Sequence, residues 1–373
     1  MNPIPGMKMA ALAWLSGALA MAASVPVYFG TGATGGSKGI YRATLDTTKV
    51  RLSEAVLVAE VKAPGFLALH PDGDKLYAAA NVEGGGAIGY RIQPGGKLEA
   101  INAMPTGDGI GAHIAVHPSG KFLLTAQYSG GSTALFPLDA DGKLGKATVH
   151  KHEGKGSGVK PPQSQPRAHW AGFSPDGKFA LVPDLGNDRI AIYRVDLAGP
   201  SLALHGYAVA APGAGPRHMR FSTDGKFIHL LNEFSLSVTT FAWDAATGTT
   251  KLISDVPTLS EEVKARETHN SGAEILVHPS GRFVYTSNRG NDTVTVFQRD
   301  ADATLKVAQV HNVRSAFPRN INLSPDGGWL LAGGQDSNTV TVHKVDPKTG
   351  ELTYQTKGVI NVPSPICILF ATK

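Results

Sequence analysis

Six polar side chains occupy two recurring positions in this sequence of 373 residues. Both positions are counted from a four-residue turn signal that occurs six times. The side chains belong to His169, Arg217, Glu233, Arg289, Arg319 and Gln335. An imidazole or a carboxylate can accept a proton from water, and guanidinium groups can bind an anion or stabilise a developing oxyanion. If the fold brings these groups together, they can act on an anionic or oxyanion-forming substrate.

The turn signals belong to a repeat that organises the chain. They read HPDG, HPSG, SPDG, STDG, HPSG and SPDG and begin at residues 70, 117, 174, 222, 278 and 324. A short apolar strand precedes each signal, such as HMRF, and a second one follows it, such as KFIHLL. An alternating third strand comes next, and in most units a weaker fourth. We interpret His70, His117 and His278 as turn residues, because serine occupies the same position in the other units.

Four antiparallel strands in each repeat predict an all-β fold, because a single sheet of this size must stack on neighbouring sheets to bury both faces. We predict a seven-bladed β-propeller of four-stranded antiparallel blades. Six units are complete, and the seventh is split between the ends of the chain. VPVYFGTG and KGIYRATLD near the N-terminus supply its outer strands, and SPICILFA near the C-terminus supplies the innermost one. Residues 23–373 are expected to form this single domain.

The two recurring positions are expected to share one rim of the propeller. Residues equally far before and after a turn face each other, so the first strand starts where the second one ends. Five residues before the turns the sequence has Gly65, Ala112, His169, Arg217, Ala273 and Arg319. Eight residues after the turn glycines it has Asn81, Tyr128, Leu185, Glu233, Arg289 and Gln335. We therefore predict a polar pocket near the axis. The alternative is that Arg217 and Glu233 form only a structural ion pair.

The N-terminus has the pattern of a secretory signal peptide. Lys8 precedes the apolar run MAALAWLSGALAMAA, and cleavage is predicted near Ala22, after residues 1–22. An uncleaved anchor is the alternative, but about 15 apolar residues are short for a bilayer span. We therefore expect a periplasmic or secreted protein without membrane contact. The single Cys367 excludes an intramolecular disulfide, and the dispersed net charge of +5 argues against nucleic-acid binding. We expect a monomer.

Several motifs carry a resemblance to a known family. They are YFGTGATGGSKGIY near the N-terminus, PDLGND at 183–188, GPRH at 215–218 with NE at 232–233, SNRG at 287–290 and GGQDSNTV at 333–340. The chain resembles the seven-bladed propeller lactonases, which include bacterial 6-phosphogluconolactonase and fungal 3-carboxy-cis,cis-muconate lactonizing enzyme, over residues 25–370. The resemblance implies that the catalytic residues are His169, Arg217, Glu233 and Arg289. One departure is Arg167, which stands where family members often have the first histidine of Pro-His-x-His.

The leading hypothesis is an exported lactonase that hydrolyses a sugar-acid lactone. His169 or Glu233 would be the general base, and Arg217 and Arg289 would hold the developing negative charge. The candidate substrate-binding residues are Arg319, Gln335, Arg167, Asp184 and Asn288. We expect no metal and no organic cofactor; a metal held by Asp184, Glu233 and Asn288 is the alternative. Because phosphorylated sugar lactones are cytosolic, export favours an unphosphorylated aldonolactone.

Two further functions stay open from the sequence. One is a lactonizing cycloisomerase of the carboxymuconate type, which would use the same proton-transfer groups and arginines. The other is a non-catalytic exported propeller that binds sugars, peptides or a partner protein, because a fold does not prove chemistry.

Overall fold

Each of the six turn signals closes a β-hairpin in the computed structural model, which describes residues 24–371. In every turn the N–H of the fourth residue donates to the carbonyl of the first, for example from Gly225 to Ser222 at 2.9 Å. The six turn glycines have φ between 69° and 75°, a left-handed conformation in which a Cβ would add strain. The backbone therefore requires glycine at this position. The predicted signal peptide, residues 1–22, lies outside the described residues.

The hairpins belong to seven antiparallel sheets, which are the blades of the predicted propeller. The first described strands are β1 (Ser24–Thr31), β2 (Gly39–Asp46), β3 (Arg51–Leu52) and β4 (Val56–Glu60), and they belong to blade 7. Blade 1 contains β5 (Phe66–Leu69), β6 (Lys75–Ala80), β7 (Gly86–Ile92) and β8 (Leu98–Pro105). Blade 2 contains β9 (Gly111–Val116), β10 (Phe122–Gln127), β11 (Ser132–Pro137) and β12 (Thr148–Lys151). Blade 3 contains β13 (Gly172–Phe173), β14 (Phe179–Asp184), β15 (Arg189–Asp196) and β16 (Ser201–Val209).

The remaining blades follow the same order from the axis outward. Blade 4 contains β17 (Pro216–Phe221), β18 (Phe227–Asn232), β19 (Ser237–Asp244) and β20 (Thr249–Pro257). Blade 5 contains β21 (Ser271–Val277), β22 (Phe283–Arg289), β23 (Thr293–Arg299) and β24 (Leu305–Asn312). Blade 6 contains β25 (Pro318–Leu323), β26 (Trp329–Gly334), β27 (Thr339–Val345), β28 (Leu352–Tyr354) and β29 (Ile360–Asn361). In blades 6 and 7 the outermost strand is interrupted, because β28 and β29 both pair with β27, and β3 and β4 both pair with β2.

The ring is closed by strands from the two ends of the chain, as predicted. β30 (Pro365–Phe370) is the innermost strand of blade 7 and pairs antiparallel with β1, so that Tyr28 lies opposite Leu369. β30 also packs against the innermost strands of blades 1 and 6. This pairing hydrogen-bonds a sheet edge that would otherwise be open.

The core lies between neighbouring blades. All residues of β6, β10, β14 and β22 are buried, because the second strand of each blade is covered on both faces by the adjacent sheets. In the outermost strands β20 and β24, all residues except the buried Leu305 are exposed or partly buried. This gradient explains why the fourth strand is the weakest one in the sequence pattern.

The turn histidines connect neighbouring blades on the rim that the turns form. Nε2 of His70, His117 and His278 lies 3.1, 3.0 and 3.2 Å from the carbonyl oxygens of Gly120, Gly177 and Gly327, the glycines of the next turns. Their interpretation as turn residues is confirmed.

Helix is scarce among the described residues. The α-helix α1 (Glu261–Lys264) is a single turn that Ser260 caps, and two 3₁₀ turns span Pro94–Gly96 and Pro161–Ser164. Within residues 24–371, no helix has the length and apolar character needed to cross a bilayer.

Candidate active site

β-bulges shape the innermost strands near the rim opposite the turns. In blade 4, Pro216 pairs with Asn232 and His218 pairs with Leu231, so Arg217 between them has no partner residue. Ala112, Arg319 and Ile366 are bulged in the same way in blades 2, 6 and 7. A bulge bends its strand and changes the direction of the extra side chain. The bulged position is the one found five residues before the turn in the sequence.

These residues meet in a pocket of about 470 Å³ at the rim. Its polar and aromatic wall consists of Phe66, Tyr128, Ser129, His169, Arg217, Glu233, Arg289 and Arg319. Gly65, Ala112 and Ile366 are the small and aliphatic equivalents from the other blades. A larger cavity, of about 750 Å³, lies near the turn of blade 1 and is lined mainly by apolar residues and glycine. The rim pocket is the stronger candidate because its titratable groups converge.

Glu233 is held between two arginines from different blades. Its Oε2 accepts a hydrogen bond from Arg217 Nε at 2.7 Å, and its Oε1 lies 3.0 Å from Arg289 Nη2. Both guanidinium groups also donate to backbone carbonyls of blade 5, Arg217 to Ala273 and Arg289 to Gly272. The ion pair between Arg217 and Glu233 therefore exists, but it belongs to a set that spans two blades.

The electrostatics of this set keep Glu233 ionised. Burial alone would raise the pKa of the Glu233 carboxyl, but the guanidiniums of Arg289, Arg217 and Arg319 outweigh burial and lower it. Burial and the neighbouring Arg289 lower the pKa of Arg217 to about 9, which still leaves it charged at neutral pH. Both oxygens of Glu233 are held by guanidiniums, so Glu233 is better suited to orienting the arginines than to accepting a proton.

His169 is the imidazole of the pocket. It is buried, and its backbone N–H donates to Pro183 O of β14 at 3.0 Å, which holds the segment before β13 against the blade. Burial and then the charge of Arg217 lower the pKa of His169 well below its usual value. The imidazole is therefore neutral at physiological pH and able to accept a proton. Its Nδ1 is buried and has no hydrogen-bond partner among the described residues.

Arg319 is the most available cation of the pocket. Its guanidinium makes no side-chain hydrogen bond or ion pair within the described part of the chain. Burial and Arg289 lower its pKa to about 10, so it stays protonated at neutral pH. A partly buried guanidinium with free N–H groups is a site for a carboxylate, a phosphate or a hydroxyl-rich group.

Asp184 and Asn288 lie outside the pocket, contrary to the expectation from their motifs. Both are fully buried. Asp184 accepts hydrogen bonds from the backbone of Arg167 at 2.7 Å and from His152 Nδ1 at 2.7 Å. Asn288 bonds to three threonine hydroxyls, those of Thr258, Thr293 and Thr295. These side chains brace the strand ends that carry the next residue, which in blade 5 is Arg289.

Arg167 and Gln335 are also not part of the pocket wall. The Arg167 guanidinium lies over the Tyr128 ring, 5.0 Å from its centroid, and donates to Pro162 O at 3.2 Å. Gln335 Oε1 is buried without a hydrogen-bond partner in the described region. Arg167 therefore supports the pocket wall through Tyr128 instead of facing the cavity.

Tyr128 is a pocket residue that the sequence hypothesis did not include. It occupies the recurring position eight residues after a turn glycine, and its ring meets the His169 ring edge-on at 5.5 Å between centroids. Burial, followed by the charge of Glu233, raises the pKa of the Tyr128 phenol, so it is protonated and can donate a hydrogen bond. Its position in the repeat was the available signal.

One grouping among residues 24–371 has the spacing of a metal site, and it lies away from the pocket. His70, Asp72 and Asp74 place possible ligand atoms within 4.8 Å of one another at the turn of blade 1. Lys75 Nζ already lies 2.8 Å from Asp74 Oδ1. This grouping is therefore an ion-paired turn at the opposite rim.

A family model and several similar proteins relate the chain to lactonases. The family model described as lactonase, 7-bladed beta-propeller matches residues 26–370. The 6-phosphogluconolactonase of Bacillus subtilis is 32% identical over 347 residues, which cover 92% of this chain and 97% of that protein. The 6-phosphogluconolactonase of Serratia proteamaculans is 31% identical over 302 residues, which cover 80% of this chain and 86% of the relative.

A solved structure with a similar fold is that of the Pseudomonas aeruginosa periplasmic gluconolactonase PpgL. It is 28% identical in sequence and superposes with a TM-score of 0.86. The similarity covers 94% of this chain and 99% of PpgL.

Proposed function

The chain belongs to the seven-bladed β-propeller lactonase family, and on this premise we propose that it hydrolyses the lactone of a sugar acid. One observation carries the proposal. Glu233 is clamped by Arg217 and Arg289 in the pocket that also contains the neutral His169. This arrangement combines a proton acceptor with preorganised positive charge, which ester hydrolysis requires.

His169 is the general base of the proposed reaction. Its imidazole accepts a proton from a water molecule as the water oxygen attacks the lactone carbonyl carbon. Burial and Arg217 lower the pKa of His169, so the unprotonated form is present at neutral pH. Glu233 is the weaker alternative, because both its oxygens are already held by arginines.

The arginines stabilise the negative charge that develops on the carbonyl oxygen. Glu233 orients Arg217 and Arg289, whose remaining N–H groups are available to the tetrahedral oxyanion. In a water-poor pocket, fixed donors of this kind contribute more than they would in bulk water. Their loss typically costs about 10²–10³-fold in kcat.

Collapse of the tetrahedral intermediate breaks the ring C–O bond. The leaving alkoxide takes the proton from the His169 imidazolium, which regenerates the neutral base. The product is a hydroxy acid, which ionises and releases one proton to the solvent. The reaction consumes one water per lactone, and we propose that it needs no metal and no organic cofactor.

The charge of the pocket favours an electron-rich substrate. Three arginines face a single carboxylate, so the pocket carries an excess of positive charge. Arg319 would bind the hydroxyl-rich or anionic end of the sugar acid. The names of relatives include both 6-phosphogluconolactonase and a periplasmic gluconolactonase. With a predicted signal peptide at residues 1–22, we propose export and an unphosphorylated aldonolactone as substrate.

A lactone panel tests this function. Glucono-1,5-lactone, its 6-phosphate and other aldonolactones are incubated with the enzyme, and acid release is followed in a pH-stat with and without EDTA. We expect hydrolysis of an aldonolactone that EDTA does not change and that His169→Ala and Glu233→Gln variants lose while remaining folded. No hydrolysis of any lactone would refute the proposal, and EDTA sensitivity would refute metal independence.

The same protein is tested for the neighbouring reaction and for export. Incubation with a carboxymuconate, followed by ultraviolet absorbance, would reveal cycloisomerase activity in place of hydrolysis. N-terminal sequencing of protein from the periplasmic fraction should begin directly after Ala22. Protein that keeps residues 1–22 in the cytoplasm would contradict export.

A further inference from the structure

A second layer of side chains, most of them polar, lies directly behind the pocket. It comes from the position four residues before each turn, next to the bulged position. The layer contains Phe66, His113, Trp170, His218, Glu274 and Asn320. Of these, Phe66 lines both the rim pocket and an adjoining cavity of about 290 Å³, whose wall also contains His113, Glu274 and Asn320.

Glu274 and His218 form a buried carboxylate–imidazole pair in this layer. Both side chains have 0% exposure, and Nδ1 of His218 lies 3.1 Å from Oε2 of Glu274. Asn320 Nδ2 donates to the same oxygen at 2.6 Å, and Arg220 Nη2 lies 3.0 Å from the other. Arg220 balances the charge of the carboxylate. The hydrogen bonds satisfy Glu274, as burial of a charge requires.

This pair fixes the tautomer of His218. An ionised carboxylate only accepts hydrogen bonds, so Nδ1 of His218 must carry the hydrogen that it shares with Glu274. Burial and Arg217 lower the pKa of His218 well below its usual value, which leaves the ring neutral. Nε2 is then an acceptor lone pair. It is buried and has no partner among the described residues.

His169 presents the complementary feature. The centroids of the His169 and His218 rings are 5.2 Å apart, and Nδ1 of His169 is also buried without a partner in the described part of the chain. Two unpaired nitrogens on adjacent buried rings are costly unless a hydrogen bond joins them. One bridging water would satisfy both.

We propose that Glu274 and His218 are positioning residues for His169, acting through one bridging water. Glu274 holds the hydrogen on Nδ1 of His218, Nε2 of His218 accepts from the water, and the water accepts from Nδ1–H of His169. Nε2 of His169 then carries the lone pair toward the pocket. The expected effect on kcat rests on the proposed function, whereas the expected tautomers of His169 and His218 do not.

The surroundings of His218 keep it an acceptor. It faces Glu274 from blade 5, His113 from blade 2, His169 from blade 3 and Arg220 from its own strand. The guanidiniums of Arg217, Arg319 and Arg289 add positive charge. Protonation of His218 is therefore disfavoured, and the direction of the hydrogen-bond chain stays the same across the neutral pH range.

Glu274→Gln reverses this direction. An amide can donate to Nδ1 of His218, which moves the ring hydrogen to Nε2 and prevents it from accepting from the water. In Ser-His-Asp hydrolases, replacing the orienting carboxylate by its amide lowers kcat by about 10⁴-fold. With a water between the rings we expect a smaller loss in kcat, of about 10²-fold, with KM within about threefold.

His113→Asn is the matched control. His113 occupies the same position in blade 2 and packs at 5.5 Å from His218, but its Nδ1 meets the backbone N–H of Ala171 at 3.4 Å and no carboxylate. We expect His113→Asn to keep kcat within about threefold. Equal losses of kcat in His113→Asn and Glu274→Gln would show that the layer acts by packing alone and would overturn the proposal.

A measurement of the histidine tautomers tests the proposed hydrogen-bond chain without substrate. Long-range ¹⁵N–¹H correlation spectra of the histidine-labelled full chain distinguish Nδ1–H from Nε2–H rings, and His→Asn variants assign the signals. In the wild type we expect His169 and His218 both as Nδ1–H tautomers, and Glu274→Gln should convert both.

Nε2–H on His169 in the wild type would overturn the proposal even if Glu274→Gln fails to fold. A wild type that hydrolyses no lactone would refute the proposed function instead, and the tautomers would still report the positioning.

Discussion

Replacement of Glu233 by glutamine removes the charge that joins two blades at the pocket. The side chain keeps its size, but Arg217 and Arg289 lose their shared carboxylate, at 2.7 and 3.0 Å. The Glu233 side chain is 16% exposed, and its partners are exposed by 2% and 6%. Breaking a buried ion pair by removing one partner costs about 3–5 kcal/mol. Because Glu233 retains some solvent contact, we expect Glu233→Gln to lower the free energy of unfolding by about 3 kcal/mol.

The loss should depend on pH in a defined direction. The arginines hold the pKa of Glu233 below its unfolded value, despite burial. A carboxyl with a lowered folded pKa stabilises the protein above its unfolded pKa, about 4.3 for glutamate, and loses that contribution as the pH falls through the folded pKa. Glutamine has no such contribution. The stability difference between wild type and Glu233→Gln should therefore be largest at neutral pH and shrink below about pH 4.3.

Urea unfolding, followed by tryptophan fluorescence between pH 7.5 and 3.5, measures this difference. Glu262→Gln is the control, because Glu262 of α1 forms an exposed ion pair with Arg266, just beyond the helix, and should change stability by less than about 0.5 kcal/mol. The same preparations are assayed for lactone hydrolysis, where we expect a drop of about 10²-fold or more in kcat/KM. Equal stability at pH 7.5, or a difference that stays constant down to pH 3.5, would refute the reasoning.

Three further predictions concern the proposed base His169, the proposed anion site at Arg319 and the buried Asn288. Because burial and Arg217 lower the pKa of His169, kcat/KM should stay constant as the pH falls from 7 to below 6. A pH–rate profile in which kcat/KM decreases near the usual histidine pKa would contradict this. Arg319→Met should raise KM for the lactone by about tenfold, which corresponds to about 1.4 kcal/mol. Arg167→Met is the control and should raise KM less, because Arg167 lies outside the pocket wall. Equal KM values of the two variants in steady-state kinetics would argue against substrate binding by Arg319. Asn288→Ala should lower the free energy of unfolding by about 1–3 kcal/mol, because it leaves buried threonine hydroxyls without their partner. Urea unfolding that is unchanged in this variant would show that Asn288 does not brace the strand end.

The blades and the rim could be predicted from the sequence because both depend on local signals. The turn glycine must adopt positive φ, so each recurrence of this glycine in the sequence marks one hairpin. The distance of each residue from the turn then gives its height on the blade. Arg217 and Glu233 are sixteen residues apart in the sequence and meet at 2.7 Å for this reason.

The second layer could not be predicted in the same way. Successive residues of a regular strand point to opposite faces, so Arg217 and His218 would not both turn toward the axis. The bulge at Arg217 changes this alternation, and the sequence contains no signal for it. The pairing of His218 with Glu274, 56 residues further along the chain, therefore became visible only in three dimensions.

The strand-end braces show how a correct motif can suggest an incorrect contact. Asn288 precedes a pocket residue, and its motif carries the family resemblance, but its side chain points into the blade. Its partners Thr293 and Thr295 lie in the next strand. Asn232 bonds in the same way to Ser237 and Thr239 in blade 4. An asparagine followed five and seven residues later by hydroxyl side chains is the signal that would have identified the brace.

The repeated bulge places one side chain from each of several blades in the pocket, so the side chains that form the pocket are distinct from those that build the blades. The pocket is lined by equivalent positions, occupied by Gly65, Ala112, His169, Arg217, Arg319 and Ile366, and bulges occur at Ala112, Arg217, Arg319 and Ile366. Because these positions lie away from the turns, we expect that exchanging their side chains leaves the turns and the strand registers unchanged. A library confined to the glycine, alanine and isoleucine positions would explore new substrate shapes while leaving the proposed proton acceptor and the arginines in place. Directed evolution of this scaffold would then search a handful of sites instead of a whole chain.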